Sequence, residues 1–558
     1  MSSERRGGRL SAALWPLAGM AVGAAVTIGV ILAASELFAS GELEALGPPS
    51  FVEESPTSGI GHVYDGGFRF FVGGGVAVFD CDADRRPDLF FAGGAGPAGL
   101  YRNESDVGGE LRFQPVSDPV IEMTEVTGAY PLDVDSDGRI DLAVLRVGEN
   151  VMLRGLGDCR FEPANDIWGI DGGDEWTAAF SATWEAAEEL PTLAFGNYLA
   201  LTDDSEQTGT CSDHYLLRPT ETGFADPTTL APGWCTLSIL FNDWSGTGRR
   251  DLRMTNDRHY YRDGEEQLWR VEKEQPPSLY GRDDGWERMQ IWGMGIASHD
   301  VTGDGLPEVF LTSQGDNKLQ TLADGGDRPT YEDIALETGA NAHRPFTGDT
   351  SRPSTAWHAE FDDVNNDGLI DLFVTKGNVE AMPEFAMEDP NNLLVGQPGG
   401  TFIEGADAAG LLDYGRSRGG AVADLNLDGL LDVVVVERRE PVRIWRNVGG
   451  GDAARPEMMG NWLAVDIEQP APNVDGVGAW IEVRTDHGLT GREVTVGGGH
   501  AGGQAGWVHF GLGREGEAEV RIRWPDGITG PWMTVETNQF LIVQRGSSSP
   551  LAWSPLQD

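Results

Sequence analysis

The sequence predicts an all-β protein: a seven-bladed β-propeller followed by a small C-terminal β-rich domain and preceded by one N-terminal transmembrane helix. Three observations predict it. An acidic phrase recurs at intervals of roughly 50–60 residues, a period that signals repeat architecture. Each copy is embedded in the same succession of short strands. One long uncharged apolar stretch stands alone near the N-terminus.

The N-terminal stretch comes first. Arg5, Arg6 and Arg9 precede Leu14 to Ala34, which is 21 residues without a charge. That length crosses a hydrocarbon core of about 30 Å. Basic residues on its N-terminal side favour a cytoplasmic N-terminus and export of the remainder. Residues 1–40 are therefore read as a basic stub and membrane anchor, with the bulk of the chain periplasmic or extracellular. The alternative is a cleaved signal peptide and a secreted protein, although a signal's apolar region is normally about 7–15 residues.

Composition bounds the rest. Asp plus Glu total 89 against 40 Lys plus Arg, a formal net charge of -49, which excludes nucleic acid as a partner because phosphate binding needs a basic footprint. Disorder is argued against by 17 Trp and 40% hydrophobic residues. There are 4 cysteines and no CxxC, which argues against zinc ribbons and thioredoxin-like motifs. Exported chains keep disulfides. Cys211 and Cys235, 24 apart in loop-like sequence, are the expected pair, and Cys81 with Cys159 is the remaining combination.

The repeat reads DCDADRRPD from Asp80, DVDSDGRID from Asp133, DVTGDGLPE from Asp300, DVNNDGLID from Asp363 and DLNLDGLLD from Asp424, with a weakened DWSGTGRRD from Asp243. The intervals are 53, 110, 57, 63 and 61 in chain order, and the double interval hides a silent copy in WEAAEELPTLAFGN from Trp184. That makes seven units over residues 50–449. Each runs from a small-residue apolar segment through the acidic loop to a β-rich run and two further short strands, the content of a propeller blade. The last unit lacks its fourth strand. SFVEESPTSGI at Ser50 resembles it and is expected to close the ring against blade seven, removing an open edge.

Oxygens at positions one, three, five and nine of a tight turn suit Ca²⁺, which accepts six to eight oxygens at about 2.3–2.6 Å. An EF-hand is rejected, because position twelve is Val144, Val374 and Val435 inside β-branched runs rather than a bidentate Glu between helices. Clustered carboxylates repel by about 1 kcal/mol per pair at 4 Å in water and up to about 4 at an effective dielectric of 20, which a cation relieves. The expected ligands are Asp80, Asp82, Asp84 and Asp88; Asp133, Asp135, Asp137 and Asp141; Asp300, Thr302, Asp304 and Glu308; Asp363, Asn365, Asp367 and Asp371; and Asp424, Asn426, Asp428 and Asp432. In the first set Arg85 replaces the glycine. The Asp243 copy is weak, and the Trp184 copy is expected to be empty. About four to five structural Ca²⁺ sites follow.

These units resemble FG-GAP/VCBS repeats, as in the integrin alpha-subunit propeller, over roughly Ser50 to Gly449. After Gly460, NVDGVGA from Asn473, HFGLG from His509 and RWPDG from Arg523 resemble the ASPIC/UnbV domain, here 460–546 with a tail at 547–558. The combination is similar to the cartilage acidic protein family and its bacterial relatives. It implies structural calcium and leaves the biochemical role open.

Enzyme motifs are absent: no HExxH, P-loop or GxSxG occurs. GGGHAG, Gly497 to Gly502, fits GxGxxG, but no helical period follows, so it is read as a glycine-rich loop in a β domain. His299 and His358 are read as inner-strand histidines. The expected function is adhesion or protein/glycan recognition at a surface, without catalysis. The alternatives are a surface enzyme acting on polysaccharide, or a purely structural envelope protein. Strand parity places Ala200 to Cys211 and Lys376 to Pro390 (second connections) on the face opposite the acidic loops. Lys273 to Trp286 and Glu337 to Pro353 (inter-blade links) join them there, and that face is the expected partner site.

Overall fold

Each repeat folds as one four-stranded antiparallel sheet whose first strand is buried along nearly its whole length. Blade one is Val76–Phe79, Asp88–Phe91, Gly99–Asn103 and Phe113–Val116. Blades two to six follow in the same order over 126–163, 177–230, 236–279, 293–333 and 356–404. Blade seven supplies Ser417–Ala423, Asp432–Glu437 and Arg443–Asn447, and Phe51–Glu53 completes it by pairing antiparallel with Arg443–Asn447. The first strands pack on one another in a closed cycle, with Ser417–Ala423 returning to Val76–Phe79. The structure is a computed structural model that describes residues 43–201, 210–257, 264–323 and 325–556. The expected anchor at 14–34 lies outside them, and among the described residues no helix is long and apolar enough to cross a membrane.

One segment departs from the expected layout. Lys273 to Trp286, read as an inter-blade link, contains the fourth strand of blade four, Ser278–Leu279, paired with Gln267–Arg270. Its two residues are too few to show a strand pattern. Both disulfides form: Cys211 with Cys235 inside blade three's neighbourhood, and Cys81 with Cys159 between blades one and two.

The C-terminal domain has two four-stranded sheets. In one, Asn461–Glu468 lies between Val508–Gly513 and the parallel Gln539–Gln544, and Leu551–Trp553 adds an outer strand within the segment read as a tail. The other contains Trp480–Thr485, Glu517–Arg523 and Met533–Glu536, with Gly488–Glu493 at its edge. Alternate residues Leu463, Val465, Ile481, Val483, Val520 and Leu541 meet in one buried core, as expected of packed sheets. Residues 43–485 and 489–556 form one compact unit.

Between its two sheets the C-terminal domain sends a glycine-rich segment into the centre of the ring. Val496, Gly497, Gly499, Gly502 and Gln504 make single β-bridges to Ala182, Leu240, Ile296, Ala129 and Val78, the first strands of blades three, four, five, two and one. The approach is too close for side chains. A Cβ on Gly75 or Gly128 would lie 1.7 or 2.0 Å from the Ala501 carbonyl oxygen. His500 is fully buried at the tip. Its backbone N–H donates to His358 Nδ1 (3.1 Å), its Nε2 accepts from Gly73 N–H (3.2 Å) and its Nδ1–H donates to Met294 O (3.1 Å). Burial lowers its pKa to about 3, so it stays neutral. GGGHAG is thus an axial plug.

Candidate metal centres on the covered face

The acidic loops join the first and second strands and share one construction. The first-position Asp accepts backbone N–H groups of the turn it opens: Asp133 Oδ1 from Asp137 (3.1 Å) and Oδ2 from Gly138 (2.7 Å), with the same pattern at Asp363 and Asp424. The turn needs positive φ at position six, +80° at Gly138, +85° at Gly368 and +86° at Gly429, which glycine adopts freely. Blade one places Arg85 there at φ 64°, and its first Asp still accepts the Arg85 N–H at 2.7 Å.

The ninth-position acid ties the loop to the third strand. Asp141 accepts from Val134 N–H and Gly155 N–H, both at 2.8 Å, and Asp371 from Val364 and Gly396. Asp432 does so from Leu425 and Asn447, and Asp88 from Cys81 and Asn103. These carboxyls are pinned as well as available to an ion, a double role that spacing alone does not reveal.

Third-position oxygens are different. Asp82 Oδ1, Asp135 Oδ1 and Asn426 Oδ1 are buried with no hydrogen-bond partner. A buried oxygen without a donor is costly unless something else meets it. Ligand atoms of Asp133, Asp135 and Asp141 lie within 4.8 Å of one another, as do those of Asp80, Asp82 and Asp88. An all-oxygen set with buried, unpartnered atoms fits a hard divalent cation such as Ca²⁺. Burial raises Asp88 and Asp141 to about 8 and Asp133 to about 6, and neighbouring acids add to the rise at each; a bound cation opposes both effects.

The copies are unequal. In blade six Asp363, Asn365, Asp367 and Asp371 are all buried, and Leu46 N–H donates to Asp367 Oδ2 at 2.9 Å. Asp424, Asn426 and Asp432 are buried in blade seven, with Asp428 half-buried. In blade five Asp300 is half-buried and Thr302 and Asp304 are exposed, while Glu308 is buried and accepts from Thr302 Oγ1 (3.2 Å) and Thr321 Oγ1 (2.8 Å); among the described residues neither this loop nor those of blades six and seven brings three acids as close together as those of blades one and two. Asp84 and Asp137 stand outside the close sets, near Arg86 (3.5 Å) and Arg154 (2.8 Å) respectively. Where the ligand set is missing, arginines appear instead. Arg218 pairs with Glu185 in blade three at 2.7 Å, and Arg523 faces Asp243 in blade four at 3.5 Å.

The sequence reading missed that the C-terminal domain lies over these loops. Arg85 pairs with Asp466 and, at 2.8 Å, with Glu468, while Trp507 Nε1–H donates to Arg85 O at 3.1 Å. His509 Nε2 meets Asn366 Oδ1 at 2.6 Å, and Asn473 N–H donates to Ser136 Oγ at 2.8 Å. The unusual Arg85 was the one local signal that a partner surface stood opposite.

Residues 363–435, which span the acidic loops of blades six and seven, match the family described as FG-GAP-like repeat, and residues 469–550 match ASPIC and UnbV. Cartilage acidic protein 1 of Mus musculus is 25% identical over 241 residues, covering 42% of this chain and 34% of that protein. Its Homo sapiens counterpart is also 25% identical over 241 residues, covering 42% and 33%. The match therefore spans about a third of the length of these curated relatives. Among solved structures, BBS1N in complex with ARL6DN aligns with a TM-score of 0.40 at 9% identity, covering 74% of this chain and 100% of that chain. An Agrocybe aegerita lectin that recognises non-reducing terminal N-acetylglucosamine aligns with a TM-score of 0.37 at 15% identity, covering 66% and 93%.

Proposed function

We propose that this chain, which carries an FG-GAP-like repeat and a C-terminal ASPIC/UnbV domain and is distantly homologous to cartilage acidic protein 1, is an extracytoplasmic seven-bladed propeller that recognises a surface protein or glycan, with Ca²⁺ in a structural role. The observation that carries the reading is the division of labour between the two ends of the strands. The C-terminal domain sits over the acidic loops, so an ion there is walled in by protein and serves packing. Loops at the opposite ends remain outside that contact.

Those opposite loops are braced into one surface. Glu380 receives Arg438 at 3.0 Å and also Arg439, and Arg418 reaches from Val379 O (2.6 Å) to Phe71 O (2.8 Å). Phe68 packs on Trp176 (5.9 Å) and Trp176 on Tyr198 (5.0 Å). Ala386 N–H donates to Pro353 O at 2.9 Å, joining the blade-six insertion to the preceding link. Phe68 and Tyr198 are half-exposed over the buried Trp176, and aromatics beside arginines are the composition of recognition surfaces. Two disulfides suit an oxidising compartment. In this reading the chain turns nothing over.

A glycan array and a panel of surface-protein ectodomains, probed with the wild type and with a double variant of Phe68→Ser and of Tyr414→Ser, Tyr414 being exposed in the link from blade six to blade seven, test the proposal. Retention by the wild type and loss in the variant support it. Equal retention by both, or release of new reducing ends from a polysaccharide, would overturn it.

A further inference from the structure

At the mouth of the ring a cavity of about 310 Å³ stands between the plug, the C-terminal domain and the first strands of blades one and four to seven. Gly506, in its wall, is exposed, which marks the side open to solvent. The charges on the wall are already paired. Arg85 holds Asp466, Arg492 holds Asp362, and Arg250 reaches Glu493 at 3.2 Å. Glu360 accepts from Gln504 and, at 3.0 Å, from Val422 N–H. Asp80 and Asp424 hold backbone N–H groups of their own loops. No wall charge is left single to select a charged ligand.

Two polar groups on that wall are left over. His299, 7% exposed, ends the first strand of blade five opposite Glu308. At the same register blades one, two and seven place Phe79, Leu132 and Ala423. His358, on the next blade, accepts His500 N–H, but among the described residues nothing bonds either ring nitrogen of His299. Burial, and then Arg492, lower its pKa to about 3, so the ring is neutral and offers one donor and one acceptor. Trp480, 8% exposed, carries an indole N–H with no acceptor. Buried groups of this kind are costly unless something meets them. Ile296, Trp507 and Phe540 supply the apolar part of the wall, the last two with ring centroids 4.9 Å apart. An aromatic-lined hollow with a few convergent polar groups has the form of a small-molecule site.

We propose that this cavity binds a neutral polyol of monosaccharide size, with His299 and Trp480 holding its hydroxyls. A hydroxyl is both donor and acceptor, so one kind of group serves the imidazole nitrogens and the indole N–H. The carbon face of a pyranose meets Trp507 and Phe540. An ammonium, carboxylate or phosphate would instead bury a charge for which the wall keeps no partner. The site is separate from the partner surface at the opposite loops, and neither His299 nor Trp480 belongs to an acidic loop.

Equilibrium dialysis of the full chain against free glucose, galactose, mannose and N-acetylglucosamine, with glucuronate and glucosamine as charged counterparts, tests it. At least one neutral sugar should bind the wild type, and the charged ones more weakly. Trp480→Phe, which keeps an aromatic ring, and His299→Phe, which copies blade one, should each weaken binding about tenfold. The double variant of Phe68 and Tyr414 should bind as the wild type does. Binding of no neutral sugar, so that water alone fills the cavity, overturns the proposal. Equal binding by Trp480→Phe and His299→Phe, tighter binding of the charged sugars, or loss in the Phe68 and Tyr414 variant does so too. Should either cavity variant fold poorly, a wild-type crystal soaked in the bound sugar decides. Density for the sugar against Trp480 Nε1 and His299 supports the site, and density elsewhere or none refutes it.

Discussion

Within one acidic loop, carboxylates of the same type hold different things. Asp141 spends both oxygens on backbone N–H groups of two strands, whereas Asp135 leaves one oxygen without a donor. Asp141→Asn therefore turns an amide donor toward a buried N–H and leaves it unsatisfied, costing about 1–3 kcal/mol. Asp135→Asn keeps the backbone intact. Thermal melts in excess chelator should separate the two: Asp141→Asn melts well below the wild type, and Asp135→Asn alongside it. Equal losses would mean that position nine is only a ligand. Glu437 makes a second prediction, far from any ion. Burial, and then Asp413, raise its pKa from 4.5 to about 8, while Ser417 Oγ donates to its Oε1 at 2.7 Å. The folded chain keeps that proton between about pH 4.5 and 8 where the unfolded chain has lost it, so this group's contribution to stability falls as pH rises through the window. Glu437→Gln keeps the acceptor for Ser417 and removes the titration. At saturating Ca²⁺ its melting temperature should fall less than the wild type's from pH 5 to 8, and parallel curves would refute the assignment.

At the scale of the element, the axial plug explains glycines that no turn requires. Gly128 lies in the middle of a blade-two strand, where glycine weakens pairing, and its Cα–H faces the Ala501 carbonyl. Gly128→Ala should either expel the plug or shift the strand, lowering stability by about 1–3 kcal/mol, the cost of overpacking a filled core. Protease susceptibility within 496–504 reads the outcome, and a resistant variant of wild-type stability would contradict this packing. The plug also shows what one-dimensional reading could reach. The acidic phrase is local and periodic, so blade number and the closing strand at Phe51–Glu53 were legible. GGGHAGGQ has no period, because its shape is dictated by five strands distant in sequence. The second task of position nine was hidden too, because spacing cannot show that a carboxylate also holds N–H groups of two strands.

For the whole molecule, the interlock decides how it comes apart. The C-terminal sandwich has its own core, yet its connecting segment fills the ring's centre and its surface covers the acidic loops. Neither body can open without exposing His500, the plug glycines and several buried carboxylates together. Cooperative units are defined by such shared burial rather than by chain order. Hydrogen exchange under conditions that report global opening should then give one opening free energy for Leu463–Ile467 in the sandwich and for Ala178–Ala182 in the ring. Calcium at about 100 times its dissociation constant should raise that value by about 2.7 kcal/mol per occupied site, in both bodies at once. Chelator should lower both together. A sandwich that opens at a lower free energy than the ring, or a calcium effect confined to the ring, would show that the plug is a loosely held tail and that the ions stabilise single blades alone.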